Sequence, residues 1–118
     1  MTDDEQFVER MLASDRAEAR QWLGAAPGAV RYLGELEPDA SLELVERLYE
    51  LGAAEVLAVE IEREPGSEDQ TTNHLLVRLP LNLAARARLF AFENEHAESE
   101  GFDGEADRGQ EYLYLKLC

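Results

Sequence analysis

The chain holds two histidines, His74 and His96, and these are its natural starting points for acid–base or metal chemistry. Glu93, His96 and Glu100 fall at i, i+3 and i+7, a helical spacing that lets two carboxylates and an imidazole converge on a divalent cation. This element stands alone. A carboxylate two-metal centre takes a second Glu-x-x-His and further acids from other helices, so an acidic helix flank without metal or cofactor is the expectation. The run Asp103-Gly104-Glu105-Ala106-Asp107-Arg108-Gly109 spaces its acids as a calcium loop does. Its glycine stands seventh instead of sixth, however, and Tyr114 occupies the place of the bidentate glutamate, so a turn is expected. There is no phosphate-cradling glycine loop, no G-x-S-x-G and no H-E-x-x-H. The one cysteine, Cys118, has no second cysteine with which to pair or share a metal. His74 remains as a general acid or base, beside Arg78 and the tyrosines Tyr112 and Tyr114.

Such side chains act only where secondary structure gathers them. Phe7, Val8, Met11, Leu12, Ala19, Trp22 and Leu23 lie on one helical arc, as one kinked helix or two short ones, before a turn at Ala26-Pro27-Gly28. Ala29 to Leu36 alternates as a strand, and Pro38-Asp39-Ala40-Ser41 starts a helix from about Leu42 to Leu51 that Gly52 ends. Glu55 to Glu62 and His74 to Leu79 alternate as two strands joined by a polar loop. A helix over about Asn82 to Ser99 and a strand over Gln110 to Leu117 complete the chain. From Ala29 the order is strand, helix, strand, strand, helix, strand, the pattern of a ferredoxin-like βαββαβ two-layer sandwich, α+β in class. A single domain is expected, with residues 1–26 as an N-terminal helical segment and 29–118 as the core.

In that arrangement both helices cover one face of a four-stranded antiparallel sheet, through Leu57, Val59, Leu75, Val77, Leu113 and Leu115. The other face then carries Arg31, Leu33, Glu35, Val56, Ala58, Glu60, Glu62, His74, Leu76, Arg78, Tyr112, Tyr114 and Lys116. Tyrosine, arginine and apolar residues in one patch are the composition of interface cores, and Arg31, Leu33, His74, Leu76, Arg78, Tyr112 and Tyr114 are the candidate binding residues. Exposed apolar positions in such a patch call for a cover. A second copy of the chain is the first reading, and the N-terminal helix folded back is the alternative. The helix from Asn82 shows two apolar sides, one along Leu83, Ala84, Ala87, Phe90 and Ala91, the other along Ala85, Leu89, Phe92 and His96, which also calls for a further layer.

The formal charge is -15, from 26 Asp+Glu against 11 Lys+Arg, which excludes a sequence-independent grip on nucleic acid or an anionic membrane. An acidic start and the lack of any long apolar run point to the cytoplasm. Ten of the eleven cations are arginine, a bias that suits GC-rich bacterial coding. The functional expectation is a small acidic protein–protein interaction or regulatory module that works by binding. The alternative is a ligand-binding domain or small enzyme with His74 as acid or base.

Overall fold

In the computed structural model, residues 3–24, 30–66, 69–101 and 104–117 are described. The expected turn at Ala26-Pro27-Gly28, the acid Asp103 and Cys118 lie outside them. The N-terminal segment forms two helices, α1 (Asp3–Ala13) and α2 (Ala19–Gly24), separated by a two-residue strand, β1 (Ala17–Glu18). There follow β2 (Arg31–Leu33), α3 (Pro38–Leu51), β3 (Glu55–Val59), β4 (Glu62–Arg63), β5 (Gln70–Thr72), β6 (His74–Arg78), α4 (Leu83–Ser99) and β7 (Tyr112–Lys116). The result is a compact α+β domain with a four-stranded antiparallel sheet, in the order β1-β3-β6-β7, and a small sheet in the order β2-β5-β4.

Helix α3 begins at Pro38, earlier than the expected Leu42, because proline is preorganised for the first turn and has no N–H to leave unpaired. Ser41, expected to precede the helix, lies inside it and is fully buried, its Oγ accepting from Leu33 N and donating to Glu37 O. Gly52 ends the helix with φ 115°, and its N–H donates to Tyr49 O at 3.0 Å. A Cβ at this position would lie 2.8 Å from Ala85 Cβ, so glycine is what lets the end of α3 meet the start of α4. Gly52→Ala should therefore cost about 2 kcal/mol in strain and overpacking. That is a fall in Tm of roughly 8 °C for a domain of this size, readable by calorimetry. Helix α4 starts at Leu83 under an Asn82 cap whose Oδ1 accepts from Ala85 N.

The strand expected over Ala29 to Leu36 is not part of the four-stranded sheet. Arg31–Leu33 pairs in parallel with Gln70–Thr72 in the small sheet, and β1 takes the edge beside β3. The strand order therefore differs from the ferredoxin-like one. Strand β7 takes the edge of β6 that the ferredoxin-like order gives to the Ala29–Leu36 strand, and Arg31–Leu33 pairs instead with β5, beyond a bend in the hairpin of the two central strands. Glu60 has φ 50°, a left-handed conformation uncommon for a side chain with a Cβ. Val59 pairs with His74 before the bend and Glu62 with Thr71 after it, so the hairpin keeps its register while passing from one sheet to the other. Ser14 Oγ accepts from Glu60 N at 2.9 Å, and Thr72 Oγ1 donates to Val59 O at 2.5 Å, which pins the turned backbone. The expected strand Glu55 to Glu62 is thereby split in two.

Both faces of the larger sheet are covered. Val56, Ala58, Leu75, Val77, Leu113 and Leu115 pack under Trp22, Val45, Leu48, Leu89 and Phe90. On the opposite face Met11 of α1 joins Leu57, Val59 and Leu76 in a second buried cluster, flanked by Phe7, Val8, Leu12, Tyr112 and Tyr114. The helical segment thus folds back, and Leu76 is covered by the chain itself. Strand β3 presents its faces opposite to expectation, with Val56 toward α3 and α4 and Leu57 toward α1. Four of its five residues are apolar and buried, so alternation carries no information about its direction. On α4 the buried residues are Ala85, Arg86, Leu89, Phe90, Glu93 and Ala97, while Leu83, Ala84, Ala87 and Ala91 are exposed. Alanine fits either environment, and the stripe drawn through it misplaced the buried side.

Candidate functional site

Strand alternation brings five of the seven candidate binding residues to one face: His74, Leu76 and Arg78 on β6, and Tyr112 and Tyr114 on β7. Arg31 and Leu33 are not among them. Leu33 is fully buried in the main core, and Arg31 Nη1 donates to Trp22 O at 2.9 Å in the small sheet. Sequence spacing placed them on the shared face only through a strand order in which their strand, and not β7, pairs with β6.

His74 and Tyr114 form the polar centre of this face. His74 Nδ1 lies 2.5 Å from Tyr114 Oη, and Glu60 Oε2 stands 3.3 Å from His74 Nε2. A proton on Nε2, facing the carboxylate, leaves Nδ1 to accept from the phenol. Glu60, the residue at the strained bend, is thus the group that orients the imidazole. Tyr114 is pushed up to about 12 by burial, reinforced by the carboxylates of Glu60 and Glu105, and is a neutral phenol across the physiological range. Phe7 of α1 meets Tyr114 edge-on with ring centroids 4.8 Å apart, closing this centre from above.

Beside α1 the cover is incomplete. A groove of about 950 Å³ runs between α1 and β7, with a floor of Phe7, Val8, Leu12, Tyr112 and Tyr114 and with Glu9, Glu105, Arg108 and Glu111 around it. Tyr112 and Tyr114 line it, but His74 does not. A smaller depression of about 380 Å³ between α3 and α4 includes Leu44, Phe92 and His96.

The groove's outer wall is the segment from Gly104 to Glu111, and it is held by side chains that periodicity did not single out. Arg86, only 8% exposed, donates from Nη2 to Asp107 Oδ1 at 2.7 Å and from Nε to Asp107 Oδ2 at 3.1 Å. Nη2 also donates to Gln110 O at 3.0 Å. This bidentate pair, with help from Gly109 N–H, holds the Asp107 carboxyl down at about 2. Its contribution to stability is complete above the ordinary carboxylate pKa and is lost as pH falls through about 2. Nearby, Glu93 Oε2 accepts from Glu105 N at 2.9 Å and Asn94 Nδ2 donates to Glu105 O at 3.0 Å. A Cβ on Gly104 would overlap Asn94 Oδ1 at 2.0 Å, so the wall sits directly on α4. The signal that could have revealed this wall is the heptad spacing of Arg86 and Glu93, two charged residues on a face that must be buried.

Glu93 is 5% exposed, and burial raises its carboxyl above the usual range, opposed by the Glu105 N–H and by His96. A raised carboxyl costs stability at neutral pH and none where it is protonated in both folded and unfolded chains. Glu93→Gln keeps an acceptor for Glu105 N and removes the buried charge. Its Tm should exceed that of the parent at pH 7, with the gain vanishing by pH 3 in a pair of thermal melts.

Glu93, His96 and Glu100 share a helix flank without sharing a ligand position. Glu93 is turned to Glu105, while His96 Nε2 lies 2.9 Å from Lys116 O. Among the described residues no group of three or more His, Cys, Asp or Glu side chains is placed to hold a metal ion.

His96 also bears on the edge of the sheet. Leu117 N donates to Asn73 O and Leu79 N to Glu111 O, so the odd residues of β7 face β6, and the backbone of Tyr112, Tyr114 and Lys116 points outward. On that outer edge Glu105 Oε2 accepts from Tyr114 N at 3.2 Å, and His96 takes Lys116 O. Two side chains thus occupy an edge that could otherwise template a further strand.

Among the described residues no helix is long and apolar enough to cross a membrane. Compared with known proteins, the chain matches no family model, no curated sequence and no solved structure.

Proposed function

We propose that this protein is a small acidic cytoplasmic module that acts by binding, and that it takes a cationic segment of a protein partner in the groove between α1 and β7. The observation that carries this reading is the groove itself, an aromatic and aliphatic floor bordered by three carboxylates and one guanidinium. Aromatic side chains supply contact area at small entropic cost and attract cations over their faces. Arg10, whose guanidinium carbon stands 5.7 Å from the Phe7 centroid, makes such a contact within the chain. The charge of -15 steers a basic partner toward this surface and repels acidic ones.

The test is an amide-shift NMR titration with a short Leu/Lys peptide and with a Leu/Glu peptide of equal length. Saturable shifts from the Leu/Lys peptide at Val8, Leu12, Tyr112 and Tyr114, and none from the acidic one, support the reading. Shifts spread over the α3 acids instead, or none at all, overturn it.

A second reading rests on the Glu60–His74–Tyr114 chain of contacts. A small ligand held against Tyr114 would exchange a proton with His74 through the phenol. His74→Gln separates the two, because it leaves the groove lining intact. Peptide binding that survives this change belongs to the binding module.

A further inference from the structure

The two faces of the larger sheet are not equally furnished. Among the described residues one carries two long helices, α3 and α4, while the other carries α1. A helix is about 10 Å across and strands stand about 4.8 Å apart, so one helix roofs about two strands and a four-stranded sheet has room for two. Met11 of α1 rests on Leu57 and Val59 of β3 and on Leu76 of β6, and Phe7 reaches Tyr114 of β7, so the cover thins over the strip of β7 between α1 and the 104–111 segment. The groove lies along that strip.

We infer, resting on the binding reading above, that the groove's occupant is a cationic amphipathic helix of a partner protein, lying beside α1 across the tyrosines of β7. The state of the neighbouring edge decides between helix and strand. An extended peptide would draw its affinity from the outer backbone of β7. Glu105 and His96 already hold Tyr114 N and Lys116 O there, whereas a helix arrives with its backbone bonds made. Charge decides the rest. Among the described residues Glu9 on α1 and Glu105 and Glu111 on the outer wall flank the seat on both sides, against Arg108 in the lining and Arg10 over Phe7. The occupant's apolar stripe then meets Leu12 and Tyr112, and its lysines or arginines flank that stripe at i, i+3 and i+4.

Two synthetic 14-residue peptides of one Leu/Lys composition test this. In one, leucine recurs with helical period; in the other, leucine and lysine alternate as in a strand. The helical-period peptide should bind at least tenfold more tightly by calorimetry and gain helical circular dichroism on binding. Glu9→Lys, an exposed change on α1, should weaken it about three- to fivefold and leave Tm unaltered. Equal affinity for the two peptides, or tighter binding of the alternating one, overturns the helical occupant while the binding reading stands. If neither peptide binds, both fall. Concentration-dependent self-association that shifts the same groove amides in the absence of peptide would make a second copy the occupant and overturn the inference.

Discussion

Leu76→Glu is expected to leave the chain largely unfolded at neutral pH and room temperature, with no intermediate dimer-to-monomer change in mass. Leu76 is fully buried between Met11, Leu57 and Val59. The substitution loses the burial of a leucine side chain, about 2 to 3 kcal/mol, and sets a carboxylate among apolar neighbours, a further cost of several kcal/mol. Together these consume about 5 kcal/mol or more of a stability that is typically about 5 to 15 kcal/mol for a domain. Leu76→Ala supplies the graded control, at about 3 kcal/mol. Chemical denaturation read by circular dichroism, with light scattering alongside, checks both. A folded, unaltered Leu76→Glu protein would contradict α1 as the cover of this face. A folded protein of half the parent mass would show that a second copy covers it.

The second large effect concerns the wall of the groove. Arg86→Ala removes a guanidinium that holds both oxygens of Asp107 and the carbonyl of Gln110. Breaking a buried pair by deleting one member typically costs about 3 to 5 kcal/mol. Asp107 is 39% exposed and regains water, which places the expectation at about 3 kcal/mol, or roughly 12 °C in Tm. Arg86→Lys keeps the charge without the fork and should recover less than half of this. Because the lost anchor lies in the 104–111 segment, the amides of Glu105, Asp107 and Gly109 should exchange with solvent much faster, and groove binding should weaken alongside. An Arg86→Ala protein with parent-like Tm and amide protection would show that the wall stands without its latch.

The reach of sequence reading is clearest residue by residue. Pro38, Gly52 and Asn82 mark helix ends through local backbone chemistry, and the structure places α3 and α4 within a few residues of expectation. His74, Leu76, Arg78, Tyr112 and Tyr114 were legible as one face because β6 and β7 alternate and pair. Val56 to Val59 were not, because a strand buried on both sides has no polar side to betray its direction. Glu60 hides the largest departure. A left-handed residue with a side chain leaves no mark in composition, yet the hairpin turns there into the small sheet, where Arg31 and Leu33 pair, while β7 takes the edge of β6. The groove was not legible either, since its wall depends on Arg86 reaching a carboxylate 21 residues away.

The seating of α1 has a further consequence for how the protein is made. The helix is translated before its seat, for Leu57, Leu76 and Tyr114, on which it comes to rest, emerge between about forty and a hundred residues later. Throughout synthesis Phe7, Val8, Met11 and Leu12 are a sticky surface waiting for its berth, the condition under which nascent chains clump. Asp3, Asp4, Glu5 and Glu9 surround them in sequence. Acids flanking an apolar stretch in this way are placed as gatekeeper residues are, where like charge disfavours association.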